Sequence, residues 1–514
     1  TMEHGLKKQG NAAIAMATQS QTANFSQRPM APRKPGLSQF GGVHGSRPGE
    51  GGPMNWRNRP LFRRDGDIRF KTGTEASKLL IEEAVRRDPK QTDFLQTFGN
   101  TMQSLSPVFD RNPKYAWVAK QLIEPDRLIQ FRVPWLDDSG NIRQNRGFRV
   151  QYSNALGPYN GGLTFGSHVN TDYITSLAFD TLISNSLYGN VGSAFGGSDF
   201  NVRNKSESEI QRFCQSYMTE LAKYIGDDID LPGMGAGVNP QEIGYLYGQY
   251  KRINTHASRR GKGLLWGGLL EGKLCRAYGF GVVHFANKML TEKGDSLQGK
   301  RCIITGSGNI AMAVAEKLIH FGAIPITLSD SSGHIYEDEG IDASKLSIIK
   351  QIKAERGARI GRYIMASTTA KYSDPENILE IPCDLLFPCC VGSNKIDADD
   401  VNMLADAGCM GVIEGGNMPS TPEACAIYKK RGMLYGPYKA TMAAGSIVNG
   451  TEMEVNPIDS TDELDERLGE SVDAVYDKIT KTATEFNARG DLVAGTNIAS
   501  FLKVANVMMA HGAV

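Results

Sequence analysis

No apolar run in these 514 residues reaches the roughly 18 that a membrane-spanning helix needs. Net charge is nearly absent too. The 57 Lys and Arg face 56 Asp and Glu, which argues against a surface built as one large footprint for nucleic acid or acidic lipid. The eight cysteines (Cys214, Cys275, Cys302, Cys383, Cys389, Cys390, Cys409 and Cys425) contain no Cys-x-x-Cys pair at zinc spacing, so no metal site is expected. They read as buried, reduced thiols, which suits a reducing compartment. What the chain has in quantity is glycine, at 57 residues, much of it in loops that suit a nucleotide-binding α/β scaffold. This length exceeds one compact core, so two domains with extensions are expected.

Acids are the missing component at the start of the chain. Residues 1–64 hold ten Lys or Arg against only Glu3 and Glu50, and 15 of the first 60 residues are Gly or Pro. With no apolar period, this stretch cannot bury enough surface to order itself. Its composition resembles that of organelle transit segments, although no clear amphipathic helix accompanies it. A protein partner is the expected contact for residues 1–72. Nucleic acid fits less well, because no aromatic interleaving accompanies the cations.

Regular patterns begin at Thr74. Leu79, Leu80, Ala84 and Val85 recur at helical spacing, with acids early and Arg86 and Arg87 late, as the helix dipole favours. Phe131, Val133 and Trp135 alternate, as do Phe148, Val150 and Tyr152. The turn Asp138-Ser139-Gly140-Asn141 between them predicts an antiparallel pair. A second domain starts near 280. Arg301–Thr305 reads as a short strand, Gly306-Ser307-Gly308 as its turn, and Ile310, Val314, Leu318 and Phe321 as one face of the next helix. Ile324–Leu328 is the following strand, ending at Asp330, and Pro325 is unusual for a central strand. Together these make one βαβ unit of a doubly wound sheet. After Gly450 the pattern is helical. Ser460-Thr461-Asp462-Glu463 reads as a capping box, and Leu464, Leu468, Val472, Val475, Tyr476, Ile479 and Phe486 form one stripe. A last helix carries Ile498, Phe501, Leu502, Ala505 and Met508.

Gly306-Ser307-Gly308-Asn309-Ile310-Ala311 fits G-x-G-x-x-A between a strand and a helix. The first glycine permits the tight turn, and the second lets backbone amides approach a pyrophosphate at the helix N-terminus. Asp330 stands where a ribose-binding acid is expected. The small Ser331 and Ser332 beside it leave room for a 2′-phosphate, although no Arg is adjacent in the sequence.

Several segments resemble the hexameric type of glutamate dehydrogenase: Leu128–Leu163, Gly196–Phe200, Glu242–Tyr250, Gly261–Gly268, Gly306–Ala311, Leu328–Gly333, Glu414–Ala424 and Gly450–Met453. The resemblance covers roughly residues 74–514. It implies a two-domain α/β fold, with a substrate-type domain over 73–270 and a doubly wound Rossmann domain over 271–449. Residues 450–514 would then be helices packing back on the first domain. It also implies homo-oligomers, and either NADP held by Gly306, Gly308, Asn309, Ile310, Asp330, Ser331, Asn394 and Asn417 or, in a degenerate relative, no cofactor. The family interconverts glutamate with 2-oxoglutarate and ammonia. Cations must therefore hold the diacid, and a lysine and an aspartate must manage protons.

At those positions this chain departs from the family. The lysine of P-Y-K-G-G-L is Asn160, the lysine before N-S-L is Ser184, and the lysine before G-G-S-D-F is Phe195. Gly235 stands at the aspartate of P-A-G-D, Met442 lies in the stretch P-G-K-A-A-N-A-G-G, and Asn449 aligns with the serine that holds the substrate carboxylate. The expectation is thus a catalytically degenerate relative with no catalytic residues, serving as a structural or interaction subunit of a larger assembly. The alternative is an active NADP-dependent glutamate or amino-acid dehydrogenase. The basic extension and the family's common habitat point to mitochondria, and otherwise to the cytoplasm.

Overall fold

The computed structural model describes residues 70–254, 273–390, 395–445 and 461–512. The extension, the expected boundaries near 270 and 449, and Asn394, Asn449 and Ser460 all lie outside the described residues.

Four helices come first: α1 (Gly73–Arg87), α2 (Thr92–Ser104), α3 (Ser106–Arg111) and α4 (Lys114–Gln121). Thr72 caps α1 by accepting from the Glu75 N–H at 3.2 Å, and Arg86 and Arg87 end it. Leu80 and Ala84 are buried as expected, whereas Val85 is 42% exposed. Next come β1 (Arg127–Leu136) and β2 (Ile142–Ser153), paired antiparallel with Leu136 opposite Ile142, as the alternation predicts. Asp137 closes their turn by accepting from the N–H groups of Ser139 and Asn141. β3 (Tyr159–Phe165), α5 (Thr171–Tyr188), β4 (Ser193–Ser198), α6 (Glu207–Leu221), β5 (Asp230–Gly233) and α7 (Pro240–Ile253) complete this half, with strand order β1-β2-β4-β3-β5.

The second half runs α8 (Lys273–Thr291), β6 (Arg301–Thr305), α9 (Asn309–His320), β7 (Ile324–Pro325), β8 (Thr327–Asp330), β9 (Gly333–Tyr336), α10 (Ala343–Ala354) and β10 (Lys371–Ser373). It continues with β11 (Leu385–Pro388), α11 (Ala398–Asp406), β12 (Gly411–Ile413), α12 (Pro422–Arg431), β13 (Leu434–Gly436) and α13 (Tyr438–Thr441). Five parallel strands order as β13-β12-β11-β6-β7. The expected strand over 324–328 is split at Pro325, which lacks an N–H to donate. Past the break, the Thr327 hydroxyl bonds both the N–H and the carbonyl of Ile304, so β8 stays beside β6 through a side chain. β8 then turns into the antiparallel β8-β9-β10 ribbon.

α14 (Thr461–Glu485) lies along α8, and α15 (Leu492–His511) returns to α5 of the first half. Leu468, Val472, Val475, Ile479 and Phe486 are buried, as the stripe requires. α15 is long and apolar enough to cross a membrane by length and composition, with half of its apolar window buried inside the fold. Its Ile498, Phe501 and Ala505 pack into the helical core of the first half.

Candidate functional site

The carboxyl ends of β6, β11 and β12 meet where the strand order switches direction, the usual ligand crevice of an open α/β sheet. Gly306 leaves β6 at φ +97°, a conformation that favours glycine, and a Cβ there would lie 3.1 Å from the Cys389 carbonyl. Its N–H donates to the Ser329 hydroxyl at 2.8 Å, and its carbonyl accepts from the Ser329 N–H at 3.1 Å. The turn is therefore fixed against β8. Gly308 caps α9, and a Cβ there would meet nothing within 4 Å, so the N-terminus of α9 faces open space. Asn309 is exposed and donates to Asn239 at the start of α7, at 3.1 Å. Ile310 is half-buried against the core below.

The structure adds what the sequence lacked beside Asp330. One carboxylate oxygen accepts from the Ser332 N–H (2.8 Å) and hydroxyl (2.5 Å), and the other from the Ile360 N–H (2.8 Å). Burial opposes the charge, but these hydrogen bonds outweigh it and hold the carboxyl below its usual range. Arg359 donates to the Ser331 hydroxyl at 2.7 Å and stands 3.9 Å from Asp330, while the Lys353 ammonium is 3.7 Å away on the other side. Burial lowers the Lys353 pKa, against the pull of Asp330. No Arg is adjacent in the sequence, but the fold brings Arg359 to this position. α10 and the turn after it carry Lys353 and Arg359 back to the end of β8, a return that no local pattern announces. Asp330 accepts from protein donors, while the Ser331 hydroxyl, Arg359 and Lys353, whose ammonium also donates to the Ala358 carbonyl at 2.9 Å, stand beside it. That set suits a phosphate better than a ribose diol. Asn417 is half-buried just past β12, beyond Gly415 and Gly416, which pack on Cys389 and Cys390.

The expected substrate positions look different. Asn160 is buried on β3, its amide 3.4 Å from the Leu231 carbonyl, and its own carbonyl accepts from Asn185. Ser184 is half-buried on α5. Phe195 is 8% exposed on β4 and belongs to the helical core. At Gly235 a Cβ would sit 2.4 Å from the Leu163 carbonyl, so this backbone admits no side chain there. Met234, next to it, touches the apolar cores of both halves, and Met442 packs on the core of the second.

Charge does cross between the halves, one layer away. Lys439 on α13 is paired with Asp180 on α5 at 2.9 Å and reaches Thr97 and Thr101 on α2. The Tyr438 hydroxyl donates to the same carboxylate at 2.5 Å. Arg356 bridges to Glu242 and Gln241 of α7. Sequence reasoning missed these groups. A lysine inside the apolar stretch after β13 was the only signal, and it named no partner.

Comparison with known proteins agrees with this architecture. A model of the Glutamate/Leucine/Phenylalanine/Valine dehydrogenase family matches residues 267–512, and one of its dimerisation domain matches residues 125–252. The chain belongs to this family. The NADP-specific glutamate dehydrogenase of Chlorella sorokiniana is 44% identical over 445 residues, covering 85% of this chain and 84% of that protein. The Giardia intestinalis enzyme of the same name is 39% identical, covering 85% and 98%. Among solved structures, Plasmodium falciparum glutamate dehydrogenase superimposes with a TM-score of 0.81 at 39% identity, covering 86% of this chain and 96% of that one. The two-domain fold expected from sequence is therefore that of this family.

Proposed function

We propose that this member of the glutamate dehydrogenase family binds NADP(H) at the carboxyl ends of β6, β11 and β12. The observation that carries this is the Ser331–Arg359–Lys353 cluster around a carboxylate already occupied by protein donors. The residues fit the cofactor. Gly306 and Gly308 shape the loop and leave the N-terminus of α9 open to a pyrophosphate, Ser331, Arg359 and Lys353 offer donors to a 2′-phosphate, and Asn417 lies on the same edge. When bound, the nicotinamide group supplies hydride transfer. The test is titration of the purified protein with NADPH and with NADH. Preference for NADPH by tenfold or more, lost in Arg359→Ala, is the expected result, and equal affinity contradicts the proposal.

For turnover, the relatives favour an NADP-dependent dehydrogenase that interconverts an amino acid and a 2-oxo acid with ammonia, as their names state. A second reading, a non-catalytic subunit, is supported by one observation: Gly235 has no room for a carboxylate, while Asn160, Ser184 and Phe195 offer no cation to a diacid. In that reading the nucleotide is a structural ligand, residues 1–72 reach a partner, and the mitochondrion is the expected location. Homo-oligomers through the dimerisation domain fit both readings. NADPH oxidation with 2-oxoglutarate and ammonium separates them. Turnover within a factor of about 100 of a typical 10 s⁻¹ supports the enzyme, and no turnover with NADPH binding intact supports the subunit.

A further inference from the structure

Seven described cysteines are free thiols, and two of them face each other. β11 and β12 are parallel neighbours, with Leu385 opposite Gly411. The ladder continues one step before both strands, because the Met410 N–H donates to the Asp384 carbonyl at 2.8 Å. One residue further back, this register sets Cys383 opposite Cys409. Neighbouring strands lie about 4.8 Å apart, inside the Cα separation a disulfide spans.

Both thiols are held in place. Gly408 takes φ +91° at the end of α11, and the Cys409 N–H donates to the Leu404 carbonyl at 2.9 Å, the six-to-one bond of a Schellman turn. The Cys409 sulfur lies 3.7 Å from the Asp384 carbonyl, against the residue that follows Cys383. Cys383 and Cys409 are 8% and 5% exposed, in one apolar cluster. The Cys409 thiol also donates to the Gly411 carbonyl at 3.4 Å, which fixes its sulfur within the cluster. Two thiols set side by side across neighbouring strands are the arrangement of an attacking and a resolving cysteine.

We propose that Cys383 and Cys409 form a reversible dithiol–disulfide pair, closed by hydrogen peroxide and reopened by a small dithiol. The Cys409 sulfur attacks one peroxide oxygen, the O–O bond breaks, and the departing hydroxide takes the proton of the Cys409 thiol to leave as water. Cys409 is then a sulfenic acid. The Cys383 sulfur displaces its hydroxyl, which leaves with the Cys383 proton as a second water. Two thiols and one peroxide give one disulfide and two waters, with two electrons passing from sulfur to oxygen.

The experiment treats the native full chain with hydrogen peroxide, blocks remaining thiols in denaturant, and maps peptides without reductant. A peptide pair joined through Cys383 and Cys409 is expected, lighter by two hydrogens and restored by dithiothreitol. The Cys302→Ala variant should still form it. Cys383→Ala should stop at a sulfenic acid on Cys409 that dimedone traps. Linking Cys383 to Cys409 closes the segment that holds β11 and α11 and restricts the unfolded chain, so the thermal midpoint of the oxidised protein should rise and return on reduction. A link through Cys302, or Cys409 oxidised to sulfinic acid with Cys383 free, overturns the proposal. So does the absence of any link while the surface methionines oxidise.

Discussion

The nucleotide edge and the cleft beside it use side chains in opposite ways. At the edge, donors exceed what the fold consumes: Ser331, Arg359 and Lys353 surround Asp330, whose own oxygens are satisfied by Ser332 and Ile360. In the cleft, the expected substrate positions carry no cation, and the buried Ser193 hydroxyl on β4 is without a hydrogen-bond partner. Asn160 and Asn185 serve the backbone, Phe195 belongs to a core, and Gly235 is pressed on β3. A family fold persists because its packing residues are separate from the ones that do chemistry, so one region can keep its ligand while its neighbour changes.

The largest test of this contrast lies under the cleft. Arg149 and Asp230 form a fully buried, two-point ion pair, and Arg149 also donates to the carbonyls of Gly161 and Gly162, each at 3.1 Å. The cleft sheet thus keeps its charge for holding strands. Arg149→Ala should cost about 3–5 kcal/mol in urea unfolding, because it strands a buried carboxylate. A loss below about 1 kcal/mol would remove that structural role.

Glu414 comes next. It is 1% exposed at the end of β12 and accepts from the Tyr438 N–H, so it links the nucleotide edge to α13. Burial pushes its pKa up to about 7 from 4.5, against hydrogen bonds from Ser420, Tyr438 and Tyr435. A raised carboxyl pKa means the folded state prefers the proton. Stability from this group is therefore present below the unfolded value of 4.5 and is lost as pH rises through about 7. The change is about 3 kcal/mol at most. Glu414→Gln should flatten thermal stability between pH 5 and pH 8, whereas an unchanged slope would show that another group sets it.

The same substitution at two glycines sharpens the comparison further. Gly235→Ala should destabilise by about 2 kcal/mol, since its Cβ meets the Leu163 carbonyl at 2.4 Å. Gly308→Ala should cost about 1 kcal/mol or less as a poorer helix cap, yet weaken NADPH binding. Equal stability losses, or unaltered NADPH affinity in Gly308→Ala, would erase the difference between the regions. Confined to ligand binding, Arg359→Ala should change NADPH affinity about tenfold, or 1.4 kcal/mol, while leaving NADH affinity alone.

What could be read in advance was local and periodic. The β6-Gly306-α9 unit, the β1–β2 pair and the buried stripe of α14 repeat at 2.0 or 3.6 residues, and the structure keeps them. Pro325 was flagged and does break its strand. The cations at the nucleotide edge were invisible, because Lys353 and Arg359 arrive from beyond a ribbon and a helix. So was the Lys439–Asp180 pair, which joins α13 to α5 across both halves. The family motif alone sets Gly235 at the aspartate position, as an expectation. That no side chain fits there was not legible, since the constraint is a carbonyl on a neighbouring strand.

The most direct measurement is calorimetric titration of the full chain with NADPH and then with 2-oxoglutarate. The nucleotide-edge assignment predicts saturable NADPH binding that Arg359→Ala weakens about tenfold, and the dehydrogenase reading favoured by the relatives predicts 2-oxoglutarate binding to the NADPH complex. No saturable NADPH binding would contradict the account, and NADPH binding with none for 2-oxoglutarate would support the non-catalytic subunit instead.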